Sequence, residues 1–540
     1  MSSELGTASV EKKPKKKHRI RRFFGRLLLL ALVLVLVFVG RSMLWSWQDG
    51  RKAELTTSGP YTADLDSLKK HPLPRWFADA KFGVMIHWGL YSVPGFAPKG
   101  TTFNRLLQTS YDDAMTRNPY AEDYANAIKD PDSPTARFHR EHYGDAPYSD
   151  FTRQFEAGLA RWNPDQWAEQ FKAAGASYVV VTAKYADGYS LWPTAVHNPH
   201  APDFHAKRDL MGELAAAVRK RGLKFGVYYS GGVDWTFQQQ VVKTLGDYAF
   251  LPYGEDYREY AVAQVRELIQ RYKPDLLWND ISWPTGSKRL YAVIADYYNT
   301  VPEGVVDDRW STASYGRELL GLKPARWGFD QLMKVAFSTE EGADSISTPK
   351  DVPHSDFRTP EYANFDTIQP KFWQQDRGIG GSFGYNREET DADYTKTPDL
   401  IAELANAAAN NGALMVNVGP SGGEGTIVPE QASRLTGIGA WLRANREAMD
   451  GTRPWTRSTT TTATGDKVVF TTKGNDLYAV VLGAPKGDVI LKDVMLREKP
   501  IRLSTGKPVT LTTTSSTTTL EEAADGTCAP VFKFPGAARR

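Results

Sequence analysis

The chain has 540 residues, of which 41% are hydrophobic and 24% charged, a balance typical of a globular protein with room for more than one domain. The formal net charge of +3 is small and gives no global electrostatic reason to expect nucleic-acid binding. The single cysteine, Cys528, excludes a framework of intramolecular disulfides.

The excess positive charge lies in residues 12–26, directly before an unbroken apolar run from Leu27 to Gly40. Flanking aromatic and apolar residues extend this run toward the roughly 20 residues that cross a bilayer. The positive-inside rule places the N-terminus in the cytoplasm. Because small residues for a cleavage site are scarce, with Gly40-Arg41-Ser42 the best match, we predict an uncleaved single-pass anchor in the cell membrane with the catalytic domain outside. The alternative is secretion after cleavage.

Apolar runs that end in polar or aromatic residues alternate with amphipathic stretches along the rest of the chain. The predicted strands are Lys81–His87, Tyr178–Lys184, Phe225–Tyr229, Asp275–Asp280, Val305–Arg309, Gly381–Tyr385 and Leu414–Val418. The predicted helices are Asp165–Ala174, Lys207–Arg221, Tyr257–Tyr272, Ser287–Asn299, Asp399–Asn410 and Glu430–Ala448. This alternation favours an α/β fold with a (β/α)₈-like, TIM-type barrel over an open sheet, with one strand missing or irregular.

The sequence changes character from about Trp455, where threonine-rich stretches and short alternating runs begin. Thr and Val favour strands, so we predict a C-terminal β-sandwich, with a disordered threonine-rich tail as the alternative. The predicted order is therefore a basic cytoplasmic segment (1–22), a membrane anchor or signal segment (23–47), a linker (48–74), the catalytic barrel (75–454) and the β-sandwich (455–540).

Ionisable side chains stand at the ends of several predicted strands. The stretch YKPDLLWNDISWP (272–284) ends an apolar run with Asp280, and a carboxylate there must be solvated, paired or put to use. The C-terminal ends of barrel strands carry the chemistry of such folds. His87, Tyr228, Arg309 and the segment 184–189 fall at the same kind of position. One such residue alone would be read as a polar strand cap, but together they predict a site on one rim.

Long and specific blocks of sequence occur in order between about residues 75 and 455. They are WFADAKFGVMIHWGLYSVPG (76–95), FKAAGASYVVVTAKYADGYSLWP (171–193), GVYYSGGVDW (226–235), KPDLLWNDISWP (273–284), VVDDRW (305–310), DFRTPEY (356–362), RGIGGSFGYNRE (377–388) and NNGALMVNVGPSGGEGTI (410–427). Together they resemble the α-L-fucosidases of glycoside hydrolase family 29.

The resemblance implies a retaining hydrolase in which Asp280 is the nucleophile and Glu361 the general acid/base. A retaining glycosidase needs such a pair about 5–5.5 Å apart. The substrate would be a glycan or glycoconjugate, with no cofactor and no metal. The resemblance further implies contacts to the sugar from His87, Glu122, Tyr185, Tyr228, Trp278 and Arg309.

Three departures from the family pattern concern the recognition of the sugar. Tyr185-Ala186 replaces a His-His pair, Asp123 replaces a Trp, and about 45 residues (311–355) are inserted. These changes leave three interpretations open: a retaining exo-glycosidase for L-fucose, the same catalyst for a related sugar, or a catalytically impaired membrane-tethered carbohydrate-binding protein. We expect weak activity on simple α-L-fucosides and a preference for a fucose-like sugar, or for a fucoside whose aglycone contacts the insertion. The sequence leaves the oligomeric state open.

Overall fold

Seven parallel strands form the central sheet of the structure, a computed structural model that describes residues 16–249, 254–347, 352–494 and 496–539. The strands are β1 (Phe82–Ile86), β2 (Tyr178–Lys184), β3 (Lys224–Ser230), β4 (Leu276–Asp280), β5 (Val305–Val306), β6 (Trp373–Gly378) and β7 (Gly412–Val418). Their order is β5-β4-β3-β2-β1-β7-β6. Parallel strands joined through helices give the TIM-like domain expected from the sequence.

The two edges of this sheet are connected by an extended segment, 356–362. The amide of Asp356 donates to the carbonyl of Val306 in β5 (2.9 Å). On the other side, the amide of Asp376 in β6 donates to the carbonyl of Pro360 (3.0 Å). A proline has no amide to donate, which interrupts a regular ladder. The segment therefore occupies the place of the irregular strand that the sequence left unassigned.

Two of the predicted strands differ from the structure. Gly381–Tyr385 was predicted as a strand and this is wrong, because these residues form a loop and the strand is Trp373–Gly378. The sequence WQQDRG of β6 is mostly polar and does not read as a buried strand. The predicted strand Val305–Arg309 is regular only over Val305–Val306, so Arg309 lies on the loop that follows.

Helices cover the central sheet and fill the connections between its strands. They are α1 (Lys16–Gly50), α2 (Leu65–Leu68), α3 (Arg75–Asp79), α4 (Phe103–Thr109), α5 (Tyr124–Ala127), α6 (Pro134–Tyr143), α7 (Phe151–Leu159), α8 (Pro164–Ala173), α9 (Leu210–Lys220), α10 (Leu245–Ala249), α11 (Glu255–Tyr272), α12 (Ser287–Thr300), α13 (Tyr315–Glu318), α14 (Lys323–Ala336), α15 (Glu340–Asp344), α16 (Thr397–Ala409) and α17 (Pro429–Asn445). The predicted helices correspond to α8, α9, α11, α12, α16 and α17. Helices α13–α15 lie in the insertion.

The C-terminal region forms two antiparallel sheets. Its strands are β8 (Arg453–Thr461), β9 (Lys467–Lys473), β10 (Asp476–Val481), β11 (Lys486–Lys492), β12 (Ile501–Arg502), β13 (Lys507–Pro508), β14 (Leu511–Thr513), β15 (Thr517–Asp525) and β16 (Val531–Phe534). The larger sheet has the order β13-β12-β16-β10-β9-β8 and the smaller β11-β15-β14. Apolar residues of both sheets share one core. The threonine-rich stretches are thus strands, and the alternative of a disordered tail is wrong.

Helix α1 carries the candidate membrane-spanning stretch of the described chain. Its part Phe23–Gly50 is long and apolar enough to cross a membrane, and its most apolar window is not buried against the protein. Toward its C-terminal end the helix contacts the body, where the amide of Gly286 donates to Asp49 (2.8 Å). The following residues pack along α12, since the amides of Thr56 and Thr57 both donate to Asp296.

Candidate active site

A single guanidinium joins the two carboxylates that the sequence singled out. Asp280 ends β4, Arg309 follows β5, and Glu361 lies on the segment between β5 and β6. Nη1 of Arg309 donates to Oδ1 of Asp280 and to Oε2 of Glu361, each at 3.2 Å. Because one nitrogen serves both groups, the two oxygens are separated by no more than twice that distance. The structure therefore brings together residues from three separate sequence blocks.

Asp280 accepts hydrogen bonds at both carboxylate oxygens. Oη of Tyr228 donates to Oδ2 (2.7 Å), and the amide of Ile281 donates to Oδ1 (2.9 Å) beside Arg309. The ring of Trp278, two residues earlier on the same strand face, lies 5.7 Å from the Arg309 guanidinium. Donors of this kind stabilise the ionised form of a carboxyl group.

Glu361 has fewer partners than Asp280 and a different electrostatic environment. Arg309 donates to its Oε2 from both Nη1 and Nη2, while a quarter of the side chain is exposed (25%). Burial raises the pKa of Glu361, the negative charge of Asp280 raises it further, and Arg309 opposes both effects. Burial and the charge of Asp280 thus favour the protonated form of Glu361 against the effect of Arg309.

The backbone is strained directly after each of these carboxylates. Ile281 has φ of 63° and Tyr362 has φ of 49°, in the left-handed region that a residue with a side chain rarely adopts. For the β-branched Ile281 this conformation is especially unfavourable. Its carbonyl lies so close to Gly232 that a Cβ there would come within 1.9 Å of it. Strain of this kind is typical of functional sites, where the surrounding packing imposes it.

The two carboxylates open into a cavity of about 540 Å³, a size in the ordinary range of small-ligand sites. Among the described residues that line it, Arg309 is the one Lys or Arg side chain. A cavity whose described lining has six carboxyl groups and one guanidinium favours a substrate that becomes positive in its transition state. The carboxyl groups that line it belong to Glu122, Asp123, Asp280, Asp344, Glu361 and Asp376.

His87 directly follows β1, and one of its ring nitrogens is hydrogen-bonded to Asn417. Asn417 donates from Nδ2 to the carbonyl of Phe383 (2.6 Å), so its Oδ1 is the acceptor that faces Nδ1 of His87 at 2.7 Å. Burial lowers the pKa of His87 to about 4. The ring is therefore neutral at physiological pH, with Nδ1 as donor and Nε2 as acceptor.

The departures from the family pattern form a connected group. Oη of Tyr185 donates to Oδ1 of Asp123 (2.9 Å), and Asn118 donates to the other oxygen (2.7 Å). Asp123 and Tyr185 are therefore direct hydrogen-bond partners in the cavity wall. Ala186 is buried, and the residues lining the cavity do not include it.

Glu122 is buried in the cavity wall beside Asp123. It accepts from the amide of Gly384 (2.7 Å) and from Oγ of Ser382 (3.2 Å). Burial raises the pKa of Glu122 to about 8, with the charge of Asp123 acting in the same direction. Glu122 thus holds the 381–385 loop over the cavity, and it is protonated at neutral pH.

The structure adds cavity residues that the sequence did not single out. They are Asp376 on β6, Phe383 on the loop that was predicted as a strand, and the aromatic residues Tyr120 and Tyr248. Phe383 lies within the block RGIGGSFGYNRE, so the resemblance carried a signal for it. Asp376 lies between the polar residues Gln375 and Arg377, so no hydrophobic alternation marked its side chain as pointing inward.

The insertion forms part of the cavity wall through Asp344, Ile346 and Ser347. Nδ2 of Asn104 donates to Oδ1 of Asp344 (2.9 Å), which joins the insertion to helix α4 across the cavity mouth. The amide of Glu361 donates to the carbonyl of Ser347 (2.7 Å). The insertion is therefore attached directly to the backbone of one of the two central carboxylates.

Comparison with known proteins agrees with this architecture. The family model for α-L-fucosidase matches residues 50–447. The chain is 32% identical to tissue α-L-fucosidase of Bos taurus over 86% of each protein, and 30% identical to that of Homo sapiens over 88% of this chain and 87% of the relative. The solved structure of Thermotoga maritima α-fucosidase in complex with fucose superposes with a TM-score of 0.72, at 35% identity, over 88% of this chain and 99% of that chain.

The family model and the relatives place the chain among the glycoside hydrolases, and the paired carboxyl groups of a TIM-like domain fit that class. The chain belongs to the α-L-fucosidase family.

Proposed function

We propose that this protein is a retaining exo-α-L-fucosidase in which Asp280 is the nucleophile and Glu361 the general acid/base. The observation that carries the proposal is the shared nitrogen of Arg309, 3.2 Å from each carboxylate. Since Oδ1 of Asp280 and Oε2 of Glu361 both bind this nitrogen, they lie closer together than the roughly 6.5–9.5 Å that an inverting enzyme needs to place a water between its carboxyl groups. The fucose-bound relative supports fucose as the sugar.

In the first step Asp280 attacks the anomeric carbon while Glu361 gives its proton to the glycosidic oxygen, so that a glycosyl ester forms and the aglycone leaves. Tyr228 holds the attacking carboxylate in place. Once Glu361 has lost its proton, Arg309 stabilises the new negative charge. In the second step Glu361 takes a proton from water, which attacks the same carbon and releases Asp280.

The stereochemistry of the first-formed product tests the mechanism. Hydrolysis of an aryl α-L-fucoside followed by proton NMR is expected to give α-L-fucose first, before mutarotation. Formation of β-L-fucose would instead establish inversion. A carbohydrate-binding protein without catalysis would release no chromophore from any aryl glycoside.

Variants of the two carboxylates assign their roles. Asp280→Gly is expected to lower kcat by at least about a thousandfold, because it removes a group that acts in the transition state. Azide is expected to restore turnover and give β-L-fucosyl azide for Asp280→Gly, but α-L-fucosyl azide for Glu361→Ala. The matched control is Glu303→Gln, an exposed carboxylate that does not line the cavity. A near-normal rate for Asp280→Gly would refute the assignment.

We further propose that sugar recognition involves His87, Glu122, Tyr185, Trp278 and the insertion, with a fucoside of extended aglycone preferred over a simple one. The cavity reaches from Asp280 to the insertion residues, which supports a substrate larger than one sugar. High efficiency on a simple aryl α-L-fucoside, unchanged by a longer aglycone, would contradict this preference.

Helix α1 supports a membrane-anchored enzyme whose catalytic domain faces away from the cytoplasm, as the basic residues before it indicate. Externally added protease is expected to cleave the catalytic domain of intact cells, and the full-length chain is expected to sediment with membranes after alkaline extraction. Recovery of only a soluble form that begins near Ser42 or later would instead establish a cleaved signal.

A further inference from the structure

The outer face of helix α14, together with Leu322 directly before the helix, is mostly apolar, and Lys323 is an exposed charge at its start. Four side chains of this segment are more than half exposed: Leu322 (59%), Trp327 (67%), Leu332 (68%) and Val335 (74%). Outside α1, these four make up half of the exposed large hydrophobic side chains in the described chain, although they come from only 14 residues. Such a concentration marks an interaction surface, because single exposed apolar residues are normally scattered.

The opposite face of α14 is firmly attached to the catalytic domain. Asp330 accepts from Oη of Tyr111 (2.8 Å) and from the amide of Gly246 (2.9 Å). Lys334 pairs with Asp112, and Met333 packs into a small apolar cluster. These contacts hold the helix with its apolar face outward.

The neighbour of α14 along the chain contacts the candidate membrane helix. The ring of Tyr315 in α13 lies 5.7 Å from that of Phe38, and Arg41 lies over the same ring. Nε1 of Trp45 donates to Glu318, also in α13 (2.5 Å). Helix α14 begins only five residues after α13 ends.

The length of a membrane span indicates where the contact between α1 and α13 lies relative to the bilayer. A helix needs about 20 residues to cross the hydrocarbon core, and the apolar stretch that begins at Phe23 reaches this length near Leu44. If α1 spans the membrane, Trp45 lies at the outer boundary of the bilayer, and so does Glu318, to which it donates. The insertion then begins at the membrane surface.

We propose that the face formed by Leu322, Trp327, Leu332 and Val335 rests on the phospholipid bilayer as a second, shallow membrane contact beside α1. The inference rests on the proposed anchoring by α1. A tryptophan with aliphatic neighbours is the composition that interfacial helices bury among the headgroups. Since the same insertion lines the cavity with Ile346 and Ser347, this contact would hold the cavity mouth near the membrane.

Fluorescence quenching in proteoliposomes of the full-length protein tests the proposal. Each variant carries Cys528→Ser, so that the label reacts at one position, and NBD is attached at Leu332→Cys or Val335→Cys. Both sites are exposed, so the substitutions leave the core unchanged. Ser504→Cys, exposed on the C-terminal sheets, is the matched aqueous control, and Leu34→Cys reports α1.

Phosphatidylcholine with a doxyl group near the headgroup is expected to quench NBD at 332 and 335 at least threefold more than at 504. Phosphatidylcholine with a doxyl group near the end of the acyl chain is expected to quench NBD at 34, which lies near the middle of the proposed span. Quenching at 34 but not at 332 or 335 would overturn the proposal while leaving the anchor intact. Quenching at none of the three would overturn both the anchor and the proposal. Quenching at 332 and 335 without quenching at 34 would support the shallow contact and refute the span.

Discussion

Three carboxyl groups surround the guanidinium of Arg309, and they are not equivalent. Asp280 and Glu361 accept hydrogen bonds from it, whereas Oδ1 of Asp376 has no hydrogen-bond partner within the described part of the chain. Asp376 is almost fully buried, with 4% exposed. Burial raises the pKa of Asp376 well above its usual range, and the charges of Glu361 and Asp280 act in the same direction against Arg309. The surroundings of Asp376 thus favour its protonated form.

Because its surroundings favour the protonated form of Asp376, we expect an amide to replace this residue better than a smaller side chain does. Asp376→Asn keeps the shape and a donor, so kcat/KM on an aryl α-L-fucoside is expected to remain within about threefold of the unmodified enzyme. Asp376→Ala removes the donor and leaves a gap, and we expect a loss of about tenfold, the upper range for one hydrogen bond. An equal loss in both variants would show that the carboxyl group acts in its ionised form.

The pairing of Tyr185 with Asp123 predicts a change in pH dependence. Burial raises the pKa of Asp123 to about 6, while hydrogen bonds from Asn118 and Tyr185 oppose the rise. Tyr185→Phe removes one of these bonds, so the pKa of Asp123 should increase and the protonated form should persist to higher pH. If substrate binding requires the ionised form of Asp123, the acid limb of the kcat/KM profile of Tyr185→Phe should lie at higher pH than that of the unmodified enzyme.

The control for this shift is Tyr148→Phe, which removes an equivalent hydrogen bond from Tyr148 to Asp187 (2.7 Å), a residue that does not line the cavity. Its acid limb should remain in place. Coincident profiles for Tyr185→Phe and the unmodified enzyme would show that Asp123 does not take part in binding.

At the scale of elements, the hydrophobic pattern predicted the central helices and most strands but missed β6. Strands β2 and β7 are apolar because both of their faces are buried, which makes their position evident from sequence. Strand β6 carries Gln375, Asp376 and Arg377 because its side chains serve the cavity and polar pairs, so it lacks that pattern. Phe383 of the 381–385 loop lines the cavity, and with Tyr385 it gives the loop the alternating pattern of a strand.

The rule that strand ends carry the chemistry was enough to place His87, Tyr228, Asp280 and Arg309 on one rim. It did not predict contacts that depend on the folding of distant loops. The Asn104–Asp344 hydrogen bond spans 240 positions of the chain, and nothing near either residue indicates the other. Loop contacts of this kind become visible only in three dimensions.

The contact between α4 and the insertion predicts a role in binding the aglycone. Asn104→Ala breaks the hydrogen bonds from Asn104 to Asp344 and Ser347. The KM for a fucosylated oligosaccharide is expected to rise about fivefold, which corresponds to about 1 kcal/mol of binding free energy. Hydrolysis of α-L-fucosyl fluoride, which has no aglycone to bind, should be unchanged.

The matched control is Thr109→Ala, an exposed residue of the same helix, which should leave both substrates unaffected. An equal effect of Asn104→Ala on the fluoride would show that the contact positions Glu361 and not the aglycone.

At the scale of the whole molecule, buried acids make stability depend on pH. Burial raises the pKa of Glu122 to about 8, above the value near 4.3 of an unfolded chain. The folded protein therefore binds more protons than the unfolded one, and the free energy of unfolding falls as pH rises between these values. Glu122→Gln should flatten the fall in Tm between pH 5 and 8, whereas Glu303→Gln, an exposed residue, should not. Parallel Tm curves for all three proteins would contradict this.

The larger C-terminal sheet is buried on both faces, which couples it to the barrel. Val480 and Val481 are adjacent in β10 and fully buried, but Val480 packs into the core of the catalytic domain and Val481 into the core between the two C-terminal sheets. Neighbouring residues of a strand point to opposite faces, so this pair compares the two interfaces at nearly the same position.

Val480→Ala and Val481→Ala are each expected to lower the free energy of unfolding by about 1–3 kcal/mol, since each removes two buried methyl groups and leaves a small cavity. If the chain unfolds as one unit, both variants shift a single calorimetric transition, and loss of fucosidase activity on heating follows it. The reason is that unfolding the sheets would expose the apolar surface of the barrel beneath Val480. A separate early transition for Val481→Ala, with thermal inactivation unchanged, would show that the sheets unfold independently of the catalytic domain.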